Sequence, residues 1–221
     1  NGASAQKPEV VIEAITKGYS QEYANVHRGL YHLSNLATEK YESVRDIVAK
    51  FLNAPNPAQI VLNSGTTEGL NSIAYGWAMP RLESGDEIIL SIMEHHANIV
   101  PWHFLRKSKG AVIKFAPINK NGEVEIDELK KLISDKTKII AITHISNVTG
   151  AVMPIKKIVD IAKEKNIPVL VDGTQGAPHM YIDMQDLGCD FYVVSCHKMY
   201  GPNGLGVLYA KKKWLDDLPP Y

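Results

Sequence analysis

The stretch Asp190-Phe-Tyr-Val-Val-Ser-Cys-His-Lys-Met-Tyr-Gly-Pro-Asn-Gly-Leu-Gly206 decides how the fold is interpreted. Residues 191–195 are apolar, aromatic or small and include two β-branched valines, which predicts a buried strand. The strand ends at His197 and Lys198, before a turn rich in glycine and proline. A lysine whose surroundings discourage its charge becomes a nucleophile and base at neutral pH. The alternative is a solvated lysine that opens a loop, and this stretch alone leaves both interpretations open.

Upstream of this strand, short apolar runs alternate with amphipathic helical stretches. The predicted strands cover residues 59–63, 87–91, 112–116, 138–143, 168–172, 191–195 and 206–210. The predicted helices cover residues 8–18, 34–51, 67–79, 98–109, 126–134 and 155–165, and Ser34 is expected to cap the second of them. This alternation indicates an α/β fold, a doubly wound and mainly parallel sheet with helices on both faces. The turn between the last two strands is too short for a crossover helix, so an antiparallel neighbour is expected.

The composition excludes several classes of function. The 221 residues contain 24 basic and 24 acidic side chains without a long basic run, so neither nucleic acid nor a membrane is an expected partner. Cys189 and Cys196 are too few for a disulfide framework or a zinc cluster, and they are interpreted as reduced thiols of a cytoplasmic protein. No apolar run reaches membrane-spanning length and no leader is recognised. A small-molecule site is therefore the default expectation.

A turn of small residues, Ser64-Gly-Thr-Thr-Glu-Gly69, follows the strand predicted at 59–63 and leads into a helix. Free backbone N–H groups and hydroxyls at a helix start form a cradle for phosphate. The alternative is an ordinary helix start capped by Thr66 or Thr67. The turn lacks the lysine of a nucleotide-triphosphate loop and the glycine spacing of a dinucleotide fingerprint.

Polar side chains follow three further predicted strands. They are His95, Asn147, Asp172 and Gln175. Because ligands of open α/β sheets bind outside the carboxyl ends of the strands, these side chains are candidates for one site. Taken alone, an aspartate at such a position is more often a turn or cap residue. His95 and His96 are adjacent and no third ligand is suitably spaced, so no metal site is predicted.

A phosphate cradle, a histidine, an aspartate and a lysine at one sheet edge predict a cofactor with a phosphate, a flat ring and an aldehyde. Pyridoxal 5′-phosphate has all three. Its phosphate suits the cradle, its pyridine nitrogen suits Asp172, and its aldehyde suits covalent attachment to Lys198. His95 is available to stack on the ring or to move protons.

Several longer motifs occur in order along nearly the whole chain. They are Ala3-Ser-Ala-Gln-Lys-Pro8, Asn25-Val-His-Arg-Gly29, Gly65-Thr-Thr-Glu-Gly-Leu-Asn71, Met93-Glu-His-His-Ala-Asn-Ile-Val-Pro-Trp102, Ser146-Asn-Val-Thr-Gly150, Asp172-Gly-Thr-Gln175 and Ser195-Cys-His-Lys-Met-Tyr-Gly-Pro202. Together they closely resemble the Suf-type cysteine desulfurases, also described as selenocysteine lyases, of the class V aminotransferase group of fold type I pyridoxal-phosphate enzymes. The resemblance implies a pyridoxal-phosphate-binding large domain over residues 51–221. Residues 1–50 would form an N-terminal segment with an active-site-entrance loop and a helix, and the extreme N-terminus and a C-terminal small domain would be absent.

The resemblance also implies roles for individual residues. Lys198 matches the lysine that bonds covalently to the cofactor, and His95 matches the histidine that stacks on its ring and transfers protons. Asp172 and Gln175 match the partners of the pyridine nitrogen and the phenolic oxygen. Phosphate-binding positions are matched by Thr67, Ser195 and His197, with Thr66 adjacent. Asn147 matches an amide near the cofactor and the substrate carboxylate, and His27 and Arg28 match the active-site-entrance segment and are expected near the substrate.

The activity implied by the resemblance is conversion of L-cysteine, or also L-selenocysteine, to L-alanine. The sulfur passes to an enzyme cysteine as a persulfide and then to a Suf-type acceptor protein for iron–sulfur cluster assembly, and the enzyme is a homodimer. In the family the nucleophilic cysteine and an arginine that grips the substrate lie beyond the segment where this chain ends. Cys189 and Cys196 are interpreted as small buried side chains rather than replacements. The alternatives are an inactive cofactor-binding or dimerisation fragment and another pyridoxal-phosphate-dependent transferase or lyase.

Overall fold

Seven strands form one sheet in the order β1-β7-β6-β5-β4-β2-β3, in a computed structural model that describes residues 2–219. The strands are β1 (Ile60–Asn63), β2 (Glu87–Ser91), β3 (Val112–Ala116), β4 (Thr137–Thr143), β5 (Val169–Asp172), β6 (Phe191–Ser195) and β7 (Gly206–Ala210). β7 runs antiparallel to β1 and β6, and the other neighbouring pairs are parallel. The predicted α/β fold with a mainly parallel sheet is confirmed, as is its antiparallel neighbour.

Helices and short helical turns connect the strands. The α-helices are α1 (Glu9–Ser20), α2 (His32–Phe51), α3 (Thr66–Asn71), α4 (Val100–Lys109), α5 (Ile126–Leu132), α6 (Ile155–Glu164), α7 (Met184–Leu187) and α8 (Lys212–Leu215). Single 3₁₀ turns precede β1 and α4 and follow β6.

Alternate residues of the central strands enter two separate apolar cores, one on each face of the sheet. In β2, Ile89 packs into one core, whereas Ile88 and Leu90 pack into the other. β5 follows the same rule, with Val171 on the first side and Leu170 on the second. Since successive side chains of a strand point to opposite faces, a strand that is apolar throughout needs helices on both sides.

Three predicted helices differ in detail from the structure. The helix predicted over 67–79 is α3 followed directly by a π-helical segment, Ser72–Ala78. α4 begins at Val100 rather than at residue 98, because Pro101 lacks a backbone N–H and suits a first helical turn. α2 begins at His32, so Ser34 lies inside its first turn, where the buried hydroxyl donates to the carbonyl of Asn25 instead of capping the helix.

The turn after β5 packs tightly on Tyr192 of β6. A Cβ atom at Gly173 would lie 2.0 Å from Cε1 of the Tyr192 ring. No side chain larger than hydrogen therefore fits there, and this close approach fixes the path of the chain directly after Asp172.

We expect Gly173→Ala to lower the free energy of unfolding by about 3 kcal/mol or more, because the added methyl group overlaps the buried Tyr192 ring. Gly18→Ala is the matched control, since nothing lies within 4 Å of a Cβ at that position of α1. Gly18→Ala should leave the free energy of unfolding unchanged or raise it by up to about 1 kcal/mol. Urea unfolding of both variants measures the difference, and equal midpoints would contradict the steric argument.

Two titratable side chains are buried near the carboxyl ends of the central strands, and burial discourages the charge of both. Glu94 is 7% exposed, and burial raises its pKa from the ordinary 4.5 to about 7. His144 is 3% exposed, and burial lowers its pKa from the ordinary 6.5 to about 4. The His144 Nδ1 lies 2.9 Å from the hydroxyl of Tyr192, which gives the uncharged ring a hydrogen-bond partner.

These two groups make opposite contributions to the pH dependence of stability. Between pH 4.5 and 7 folded Glu94 binds more protons than unfolded Glu94, so its contribution falls as the pH rises. Between pH 4 and 6.5 unfolded His144 binds more protons, so its contribution rises with pH. The free energy of unfolding of Glu94→Gln, taken relative to the parent, should therefore rise with pH, by up to about 1.4 kcal/mol per pH unit. For His144→Asn the same difference should fall as the pH rises. Urea unfolding at pH steps from 4.5 to 6.5 measures both slopes, and curves parallel to the parent would contradict the prediction.

Candidate active site

A cavity of about 700 Å³ lies at the carboxyl edge of the parallel strands. Every residue that the sequence assigned to cofactor binding lines it. These residues are Thr66, Thr67, His95, Asn147, Asp172, Gln175, Ser195, His197 and Lys198. Because β1, β2, β4, β5 and β6 are parallel, their final residues and the segments that follow them meet at one edge and supply these side chains.

Lys198 ends a single 3₁₀ turn, Cys196–Lys198, which begins directly after β6. The carbonyl of Cys196 accepts hydrogen bonds from the backbone N–H groups of Met199 and Gly201, at 2.9 Å each, and these bonds fix the turn. Lys198 is partly buried, and within residues 2–219 no carboxylate forms an ion pair with it. The amine is therefore held at the cavity without a carboxylate to neutralise it.

Asp172 is the last residue of β5, and Gln175 lies in the turn that follows it. Asp172 is 4% exposed, and its Oδ1 accepts a hydrogen bond of 3.0 Å from the backbone N–H of Thr174. Gln175 donates through Nε2 to the carbonyl of Gly2 at 2.6 Å. The first side chain thus offers a carboxylate to a ligand, and the second ties the N-terminal residues to the cavity wall.

The turn before α3 is available to a ligand, because no threonine side chain caps the first turn of the helix. The residue that precedes the helix is Gly65, at φ 141°, a conformation that favours glycine, and no side chain caps the first turn. The hydroxyl of Thr66 instead lies 2.6 Å from the hydroxyl of Thr174. The alternative of a helix start capped by Thr66 or Thr67 is therefore wrong.

Two more donors face the same end of the cavity. Ser195 Oγ lies 2.9 Å from His197 Nδ1. Burial lowers the pKa of His197, and the charges of Lys198 and Lys7 lower it further. This excess of donors and positive charge suits an anion.

Glu68 steadies the first residue of this turn, a role that the sequence analysis did not identify. Its Oε2 accepts a hydrogen bond of 2.6 Å from the backbone N–H of Ser64 and another from the Ser64 hydroxyl. These bonds lower the pKa of Glu68. Glu68 follows Ser64 by four residues, one more than the spacing of a capping box, so that sequence pattern did not indicate the pairing.

His95 follows β2 and is oriented by its own loop. Its Nδ1 accepts a hydrogen bond of 3.1 Å from the backbone N–H of Ala97, so the neutral ring carries its proton on Nε2. Asn147 lies in the loop after β4 and is exposed at the cavity.

His27 and Arg28 do not line this cavity. Both are exposed, and His27 Nε2 lies 2.9 Å from Glu42 Oε1 on α2. The backbone N–H of His27 donates to the hydroxyl of Thr38 at 3.0 Å. Their assignment to the substrate stays a prediction.

The N-terminal residues form part of the site, which periodicity could not indicate. Gly2 and Ala3 line the cavity. The backbone N–H of Ala5 donates to the carbonyl of His197 at 3.1 Å, and Lys7 Nζ donates to the same carbonyl at 2.9 Å. Residues 2–7, which we call the N-terminal strap, therefore cross the chain beside Lys198.

Neither cysteine lines the cavity. Cys189 is fully buried, which raises its pKa to about 12. Cys196 is partly buried, and burial raises its pKa as well. Both thiols are disfavoured as thiolates, which supports their interpretation as small packed side chains.

Residues 2–219 contain no group of three or more histidine, cysteine, aspartate or glutamate side chains that could hold a metal ion. No helix in the same range has both the length and the apolar character that crossing a bilayer requires.

Comparisons with known proteins agree with this geometry. The class-V aminotransferase family model matches residues 1–221. A cysteine desulfurase of Cronobacter sakazakii is 47% identical over 221 residues, which is all of this chain and 54% of that protein. The crystal structure of a cysteine desulfurase from Escherichia coli matches with a TM-score of 0.92 and 43% identity, covering 100% of this chain and 55% of that one. A protein solved in complex with cysteine matches at a TM-score of 0.91 and 30% identity, over 99% of this chain and 62% of its own.

The chain spans about half the length of the curated relatives it matches, 54% in the case of the proteins from Halalkalibacterium halodurans and Cronobacter sakazakii. Its fold matches that of solved cysteine desulfurases over the full length of the chain. Since the family model covers all of its residues, the chain belongs to the class-V aminotransferase family.

Proposed function

We propose that the cavity binds pyridoxal 5′-phosphate and that the full-length protein is a cysteine desulfurase, which converts L-cysteine to L-alanine and an enzyme-bound persulfide. Class-V aminotransferases and cysteine desulfurases are pyridoxal-phosphate-dependent enzymes. The observation that carries the proposal is the meeting of Lys198, Asp172 and His95 in one cavity beside an anion cradle. Relatives at 43–47% identity that are named cysteine desulfurases support the choice of reaction.

The donor set of the cavity fits this cofactor. The hydroxyls of Thr66, Thr67 and Ser195 and the ring of His197 suit a phosphate, because they are donors beside the positive charges of Lys7 and Lys198. In the same cavity, the buried carboxylate of Asp172 suits a protonated ring nitrogen, and Gln175 suits a ring oxygen.

Each of these side chains can be assigned a role in the proposed reaction. When bound, the cofactor supplies an electron-accepting ring that allows an amino acid to lose its Cα proton. The Lys198 amine first holds the cofactor and then accepts that proton. Asp172 keeps a proton on the ring nitrogen, and His95 presents its Nε2–H for proton transfer and its ring face for stacking. The N-terminal strap holds the His197 carbonyl, which directly precedes Lys198.

The sulfur-accepting thiol is proposed to come from a part of the protein outside this chain. Transfer requires a thiolate that reaches the substrate sulfur. Burial raises the pKa of Cys189 and Cys196, and neither lines the cavity, so both are poor candidates.

Several finer assignments belong to the same proposal. The protein would act as a homodimer in the cytoplasm, pass sulfur to a Suf-type acceptor for iron–sulfur cluster assembly, and also accept L-selenocysteine. Exposed apolar side chains on α1 and α2, such as Val10, Tyr19 and Ile47, support burial of this surface against a second subunit. Residues 1–50 would form an accessory segment that carries His27 and Arg28 at the site entrance, and residues 51–221 would form the cofactor-binding domain.

Replacing Lys198 tests the cofactor assignment. In the full-length protein with added pyridoxal phosphate, Lys198→Ala should abolish the visible absorbance band and the adduct that borohydride reduction leaves on the protein, because no amine remains to bond to the aldehyde. Lys131→Ala, an exposed lysine on α5, is the control and should keep both. An unchanged band and adduct in the Lys198 variant would contradict the assignment.

Replacing His95 tests the reaction. His95→Ala should lower the rate of alanine formation from L-cysteine about 100-fold, the usual contribution of a positioned acid or base, while the absorbance band of the bound cofactor persists. Alanine and sulfide assays on the full-length protein measure the rate. Cofactor binding without alanine formation in the full-length parent protein would instead support another pyridoxal-phosphate-dependent reaction.

A further inference from the structure

We propose that Glu94 is a positioning residue for His95, and that it holds the histidine at the cavity by bridging the carboxyl ends of β2 and β4. The inference rests on the proposed function, in which His95 acts at the cofactor. Glu94 itself does not line the cavity, and no step of the mechanism uses it.

The bridge consists of three hydrogen bonds to one carboxyl group. Glu94 Oε1 accepts from the hydroxyl of Ser91 at 2.6 Å and from the backbone N–H of Thr143 at 3.0 Å. Its Oε2 accepts from Nδ2 of Asn98 at 2.7 Å. Ser91 is the last residue of β2 and Thr143 is the last residue of β4, so the carboxyl group ties together the two strand ends that border the site.

Both ends of the His95 loop are attached to this group. Glu94 precedes His95 directly, and Asn98 follows it by three residues. The backbone N–H of Asn98 donates to the carbonyl of His95 at 2.8 Å. The carboxyl group therefore closes a small ring of contacts around His95, and moving it would move the histidine.

The indole of Trp102 fixes which atom of the Asn98 amide donates and which accepts. Asn98 uses its Nδ2 for Glu94, and its Oδ1 accepts from Nε1 of Trp102 at 3.1 Å. An indole can only donate, so Asn98 cannot turn over without losing Trp102. Asn98 and Trp102 are at most 1% exposed, which leaves no water to replace a lost partner.

A carboxylate at the opposite end of β2 shows what a purely structural bridge looks like and supplies a matched control. Glu87 Oε2 accepts from the hydroxyls of Ser134 and Thr137 and pairs with Lys114. It lies at the amino end of the strand, far along the sheet from the cavity.

The experiment uses the full-length enzyme loaded with cofactor. In Glu94→Gln the new amide group faces the amide of Asn98, donor against donor, so the loop shifts and alanine formation should fall at least about tenfold. Glu87→Gln should lower stability and leave the rate within about twofold of the parent.

An exchanged pair restores the network. In the double variant E94Q/N98D, the amide oxygen introduced at position 94 again accepts from Ser91 and Thr143. The amide nitrogen of the same side chain donates to the carboxylate introduced at position 98, which also accepts from Trp102. We expect this exchange to recover most of the lost rate, although each single variant is impaired. An exchanged protein that folds but stays at least about tenfold slower than the parent would overturn the proposal, and this comparison with the parent holds even where a single variant fails to fold.

A double-mutant cycle separates positioning from general damage. If Glu94 acts through His95, Glu94→Gln should cost less than about twofold when His95 is already alanine, since coupled residues are not additive. If Glu94→Gln lowered the rate by the same factor in the parent and in His95→Ala, the positioning role of Glu94 would be wrong, whereas the proposed function would stand. A His95→Ala enzyme with the parent rate would instead remove the role of His95, and the inference with it.

Histidine-ring NMR gives a readout that does not depend on turnover. In the parent, the ring of His95 should show an unprotonated Nδ1 and a protonated Nε2, as its bond to Ala97 requires. The ring signals should shift in Glu94→Gln and return in the exchanged variant, and they should stay unchanged in Glu87→Gln. His95 signals that do not move in Glu94→Gln would contradict the positioning role.

Discussion

One constraint organises the molecule: the central strands are buried on both faces, so polar chemistry is confined to their ends. β4, β5 and β6 carry apolar side chains into two cores, and each pair is parallel. Polar groups within such strands would lose water without gaining partners. Since the strands point the same way, the residues that follow them gather at one edge, and the cavity forms there.

The site depends on charges that the fold keeps apart or leaves unpaired. Lys198 stays free of a carboxylate among the described residues, whereas Asp172 is buried with a backbone N–H as its partner. Glu94 and His144 are also buried, and burial favours the neutral form of each, a protonated carboxyl group for Glu94 and an uncharged imidazole for His144. Hydrogen bonds offset the cost of burying each of them. The same hydrogen bonds fix the loops, so the contacts that make the loops rigid also hold the site residues in place.

Local patterns predicted the parts of this arrangement that depend on neighbouring residues. Strand positions followed from apolar runs, and the grouping of His95, Asn147, Asp172 and Lys198 followed from the rule for strand ends. The misses involve partners far apart in sequence. Ser34 suits a helix cap by residue type but bonds to a loop carbonyl, and the Thr66 hydroxyl turns to Thr174, 108 residues away. No local period encodes either contact.

The sequence by itself determined the fold class and the set of side chains available at the sheet edge, because strand burial and strand ends are properties of short segments. Only the tertiary structure decided how these side chains are held. It brought the N-terminal strap to His197, left His27 and Arg28 beside α2, and made Glu94 a bridge between β2 and β4. Hydrogen bonds act over about 3 Å in space regardless of distance along the chain, so their partners are fixed only when the sheet has formed.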